Sequence, residues 1–139
     1  MFECIIYATD GSEHARKARA YARDLAKLHG AELFVVHAYP AVSDLLGYSE
    51  YDSVVTRRIA NGEKIVDEAV EELEAAGLTV QTELLEGPMA EAILRVAKVR
   101  NADLIVLGAR GRGGLTRLLL GSVSQRVIQH ATCPVLVVR

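Results

Sequence analysis

The segment Gly108-Ala109-Arg110-Gly111-Arg112-Gly113-Gly114, followed after six intervening residues by Gly121-Ser122-Val123-Ser124, holds the densest chemistry in this 139-residue chain. Glycine lets the main chain come close to a ligand and adopt positive φ. The first amides of a helix lack partners and carry a partial positive charge. A glycine run leading into a helix therefore suits an anion with several oxygens, such as a polyphosphate. Ser122 and Ser124 would add hydroxyl donors at the helix start. Charge-assisted hydrogen bonds contribute about 1.5–3 kcal/mol each, so several together could hold a triphosphate without any lysine. A simple flexible turn is the plainer alternative. Arg110 and Arg112 could reach phosphates, or could be ordinary exposed loop arginines. Asp10-Gly11-Ser12 is the second candidate. An aspartate there could hydrogen-bond a ribose or hold Mg²⁺ against phosphates, although Asp-Gly is also common turn chemistry.

Other chemistries find less support. His14, His29, His37 and His130 show no metal-ligand spacing. Glu68, Glu71, Glu72 and Glu74 read most simply as a solvated helix face. There is no G-x-S-x-G nucleophile elbow and no G-x-x-x-x-G-K-[ST] loop. No G-x-G-x-x-G follows the first apolar run, which argues against a dinucleotide dehydrogenase. A net charge of −2 with scattered Lys and Arg argues against nucleic-acid binding. No apolar run approaches the ~20 residues of a membrane span. Cys4 and Cys133 lie far apart, in or beside apolar runs, and read as free thiols. The first residues lack a basic, cleavable leader, so the expectation is a cytoplasmic protein.

Five apolar runs must position these residues: 2–8, 31–37, 79–85, 103–107 and 134–138. Continuous Val/Ile/Leu runs suggest strands buried on both faces, whereas the alternating third run suggests an exposed edge. Helices fit the gaps. Ser12 can cap the first, which reaches His29 before Gly30. The second is expected over about 51–76, the third from Pro88, and the fourth from near Ser122. Residues 38–50 form the one long irregular stretch, either a lid or a surface loop. Length and pattern indicate one domain over 1–139. The alternation implies an α/β, doubly wound, Rossmann-like five-stranded parallel sheet of order 3-2-1-4-5. Its first and fourth strands then meet at the switch point where such sheets bind ligands.

The spacing Gly108, two residues, Gly111, nine residues, Gly121-Ser122 follows an L-I-V-L-G run, and the chain closes on C-P-V-L-V-V-R. With Asp10-Gly-Ser after the first run, it resembles the universal stress protein family across nearly the whole chain. It matches the G-x2-G-x9-G-[ST] pattern of the ATP-binding branch. The resemblance implies an ATP-loaded sensor or switch in stress response, with Mg²⁺. Ala8, Thr9 and Asp10 would touch ribose or phosphate, and Val36 would meet adenine, partly through its backbone. Gly108, Gly111, Gly121, Ser122, Val123 and Ser124 would wrap the phosphates, with Ala109, Arg110 and Arg112 in the same loop. A homodimer would form through antiparallel pairing of residues 134–138. A slow ATPase or phosphotransfer enzyme is the alternative. Phosphoryl transfer needs a positioned nucleophile, and Asp10 is the only good candidate base.

Overall fold

The computed structural model describes residues 1–42, 47–111 and 120–139. Strands and helices alternate: β1 (Cys4–Ala8), α1 (Glu13–His29), β2 (Glu32–Tyr39), α2 (Tyr48–Ala75), β3 (Val80–Glu86), α3 (Met89–Val99), β4 (Leu104–Gly108), α4 (Ser122–His130) and β5 (Val135–Val138). The sheet is parallel throughout, in the order β3-β2-β1-β4-β5. The expected α/β doubly wound topology is therefore observed. Chain direction across the sheet reverses between β1 and β4, so their carboxyl ends lie side by side with loops diverging to opposite faces.

Alternation along each strand divides the core into two layers. Ile5, Tyr7, Leu33, Val35, Leu104 and Val106 face α1 and α2. Ile6, Ala8, Phe34, Val36, Ile105 and Leu107 face α3 and α4. Helix α1 meets the sheet through Ala18, Ala22 and Ala26, all buried, so it lies close to the strands. Each large aliphatic side chain buried in this way contributes about 1.5–3 kcal/mol. The edge character expected of the third run holds, since β3 ends the sheet and is only half buried.

Several boundaries differ from the sequence expectation. β2 extends to Tyr39 because β3 continues to pair with it as far as Glu86. α2 begins at Tyr48, capped by Gly47, so the expected irregular stretch 38–50 is shorter than its sequence suggests. Residues 43–46 of it lie outside the described residues. Pro88 stands at the N-cap, one place before the first helical turn. Among the described residues no helix is long and apolar enough to cross a membrane.

One polar pair enters the first layer. Arg19 is 2% exposed. Its guanidinium lies 6.0 Å from the centre of the Tyr7 ring and ion-pairs with Glu72. The Tyr7 hydroxyl donates to the Ala15 carbonyl at 2.6 Å. Burial raises the Tyr7 pKa above its ordinary value of 10.0. The folded state thus retains a proton that the unfolded chain releases. The associated stability is complete below pH 10 and is lost as pH rises through the folded value. Tyr7→Phe should cost about 1 kcal/mol at pH 7. In urea melts repeated up to pH 11, it should also show a shallower alkaline decline than the wild-type protein.

Candidate functional site

The switch-point cleft is built from main chain before side chains. β1 passes its pairing one residue beyond its end, where Thr9 N–H donates to the Val36 carbonyl at 3.0 Å. The Thr9 carbonyl accepts from His37 Nδ1 at 2.7 Å. Gly11 then turns the chain with φ 77°, a value that favours glycine. Its N–H donates to Thr9 Oγ1 at 3.1 Å. Ser12 N–H donates to Asp10 Oδ1 at 2.9 Å, and Ser12 Oγ accepts from Ala15 N–H to cap α1. Asp10 is thereby aimed by its own turn.

The loop after β4 comes up against this turn. A Cβ on Gly108 would stand 2.7 Å from the His14 carbonyl carbon and 2.9 Å from Ala15 N. A Cβ on Gly111 would collide with Asp10 Oδ2. Neither Gly108, Gly111 nor Gly121 has positive φ. The loop therefore needs glycine at 108 and 111 for close approach, and not for backbone conformation as the sequence reading allowed. Gly121 N–H and Ser124 Oγ both donate to the Ala109 carbonyl, at 2.7 and 2.8 Å. The first hydrogen bond of α4 runs from Gln125 N–H to the Gly121 carbonyl. The amides of Ser122, Val123 and Ser124 are thus the leading amides of the helix.

These elements enclose a cleft of about 240 Å³. Asp10, Ser12, Gly108, Ala109, Arg110, Gly111, Gly121 and Ser122 line its polar part. Ala8, Ala15, Met89, Ile93, Leu107 and Val123 supply an apolar wall. Arg110 Nη2 meets His14 Nε2 at 3.0 Å.

The structure brings together Ala8, Asp10, Gly108, Ala109, Arg110, Gly111, Gly121, Ser122, Val123 and Ser124 around one cleft. Three expected residues are more deeply buried. Val36 is fully buried in the second core layer, and its carbonyl accepts from Thr9 N–H. Thr9 is 1% exposed and secures the turn. Ser124 is also 1% exposed and directs its hydroxyl inward to main-chain carbonyls. Arg112 lies outside the described residues. Sequence reasoning missed Met89 and Ile93. Their four-residue spacing on the first turns of α3 was the available signal.

Mg²⁺ commonly takes one or two carboxylates and completes its shell with phosphate oxygens and water. Asp10, poised beside the glycine cradle, fits that requirement. Among the described residues no group of three or more His, Cys, Asp or Glu could hold a metal by itself, so any such ion depends on ligand oxygens.

The two glycines should respond differently to alanine. At Gly108 the obstacle is backbone, so Gly108→Ala should destabilise the ligand-free protein by about 1–3 kcal/mol in denaturant melts. At Gly111 the obstacle is the end of a side chain. Gly111→Ala should leave the ligand-free melting temperature nearly unchanged while displacing the Asp10 carboxylate, visible as a shift of its NMR signal.

Comparison with known proteins places this architecture. A sequence profile of the Universal stress protein family matches residues 1–139. A Thermus aquaticus protein, the universal stress protein in the QAH/OAS sulfhydrylase 3' region, is 46% identical over 140 residues, covering 100% of both chains. The solved structure of universal stress protein UspA from Lactobacillus plantarum superposes with TM-score 0.88 at 26% identity, over 99% of this chain and 97% of that one. A universal stress protein solved in complex with cAMP gives TM-score 0.77 at 27% identity, over 99% and 97% of the two chains. The chain belongs to the universal stress protein family.

Proposed function

We propose that this protein binds an adenine nucleotide, ATP in the first place, and serves as a nucleotide-loaded sensor or switch in stress response. The observation that carries the reading is the meeting of the Asp10 carboxylate, the Gly111 backbone and the amino end of α4 on one cleft. Leading helix amides suit phosphate oxygens. The apolar wall of Met89, Ile93, Leu107 and Val123 offers a surface for a base or sugar face. Asp10 has an oxygen directed at the loop, suited to a ribose hydroxyl or to Mg²⁺ riding on the phosphates. A related protein of the same fold was solved with cAMP, an adenine nucleotide. In this reading Gly108, Gly111, Gly121, Ser122 and Val123 border the phosphates, Gly121 without its N–H, which the Ala109 carbonyl accepts. Ser124 takes part through its amide, since its hydroxyl is engaged.

A slow ATPase is the second reading. It draws on the same carboxylate, which would have to activate a water in line with the terminal phosphate. Turnover of Mg-ATP that disappears in Asp10→Ala and persists in Cys4→Ser would favour it.

The reading includes a homodimer through residues 134–138. β5 ends the sheet, paired on one side with β4, and carries only Val and Leu. Beside it lies a depression of about 590 Å³ lined by Phe2, Tyr21, Leu25, Leu28, Leu104 and Leu136. An open apolar edge of this kind is normally covered.

ATP at 100 times its dissociation constant should stabilise the fold by about 2.7 kcal/mol, or roughly 5–10 °C in melting temperature for a chain of this size. Gly121→Asp should abolish that shift. A Cβ there already stands 3.3 Å from the Ala109 carbonyl oxygen, and the new charge would oppose phosphate. Retention of the full shift in Gly121→Asp would refute the assigned site. Mass spectrometry of nucleotide released from protein purified without added ligand would identify the species carried.

A further inference from the structure

We infer that His14 is a positioning residue of this cleft: as a neutral acceptor at Nε2 it holds the Arg110 guanidinium at the cleft rim. The inference rests on the adenine-nucleotide reading above, in which Arg110 lines the cleft beside the glycine cradle. Arg110 Nη2 and His14 Nε2 are 3.0 Å apart, across 96 residues of sequence. A guanidinium has only donors and stays protonated in proteins. His14 Nε2 must therefore offer its lone pair, and the ring proton must sit on Nδ1. His14 Nδ1 is buried and has no hydrogen-bond partner among the described residues. The arrangement thus retains an orphaned donor, which is unfavourable and rare in folded proteins. Burial of that edge fixes the ring with its other nitrogen toward Arg110.

The backbone of the same residue is the surface against which Gly108 packs. One residue in the first turn of α1 thus meets the end of β4 by main chain, at Gly108, and the loop after it by side chain, at Arg110. Arg110 is set in place before ligand arrives, which lowers the ordering cost of binding. The role belongs to the imidazole lone pair. Removing the ring should act only through Arg110.

Two measurements test this. Nitrogen-15 NMR of the ligand-free protein at pH 8 should show His14 as the neutral Nδ1–H tautomer, and Arg110→Ala should shift it toward the Nε2–H form. An Nε2–H tautomer or an imidazolium in the wild-type protein would overturn the inference. In calorimetric titrations with ATP, His14→Ala should weaken binding about fivefold to tenfold, the scale of coupling between contacting residues. His14→Gln, whose amide oxygen can accept from Arg110, should recover most of the loss. In an Arg110→Ala background, His14→Ala should have no further effect; an equal loss there would mean that His14 acts directly, and would overturn the positioning role. Should the wild-type protein bind no ATP, the nucleotide reading fails, and the tautomer alone decides the inference.

Discussion

Backbone-to-backbone contact between Gly108 and the first turn of α1 is the constraint on which the cleft depends. In a doubly wound sheet the strands flanking the reversal send their loops to opposite faces, which by itself opens a crevice. How narrow that crevice becomes depends on what separates the two loops. Here nothing separates them at Gly108: the position a Cβ would occupy is 2.7 Å from the His14 carbonyl carbon. The same closeness continues at Gly111, where the Asp10 carboxylate lies against bare Cα. Main chain from one loop and a carboxylate from the other consequently face a shared space.

Electrostatics within the loop follow from how its carbonyls are disposed. The Ala109 carbonyl would repel an anion if it pointed into the cleft. It is instead occupied by two donors, Gly121 N–H and Ser124 Oγ. The serine hydroxyl thus closes the loop onto the helix it precedes and strengthens the excess of donors on the cleft side. This accounts for a buried serine in the first turn of α4, where an exposed one would seem the better ligand. The opposite wall is apolar, from Met89, Ile93, Leu107 and Val123, which excludes water and sharpens the field of the amides. The result is a cleft with one anion-favouring side and one apolar side, a combination that matches the two chemically distinct ends of a nucleotide.

Much of this was legible in sequence because it depends on local rules. Buried strands read as unbroken Val/Ile/Leu runs, Ser12 and Gly30 mark the ends of α1, and βαβ handedness leaves only a handful of strand orders, the observed one among them. The gathering of Asp10 with Gly108, Gly111 and Gly121 followed from that topology alone. What was not legible depends on direction and contact across the chain. The sequence marks Ser124 as a hydroxyl but not that its hydroxyl turns inward. It marks Gly108 and Gly111 as permissive but not that the need is for space, since their φ values are ordinary. Nothing local in the sequence marks Arg19 as buried. It is buried because Tyr7 supplies a ring beneath it and α2 brings Glu72 within reach. His14 read as one of four scattered histidines until the fold set it beside a loop 96 residues away.

The geometry of Asp10 also bears on which of the two functional readings is stronger. A general base for phosphoryl transfer must aim an oxygen at a water in line with the leaving group, so the direction of its oxygens matters. One oxygen of Asp10 is held by the Ser12 amide at 2.9 Å, and the other is pressed against Gly111. A carboxylate fixed this way is well suited to roles that reward rigidity, such as accepting from a ribose hydroxyl or anchoring a cation carried by phosphates. Retention of nucleotide is the more economical use of a carboxylate so constrained, and it is the property a loaded sensor needs.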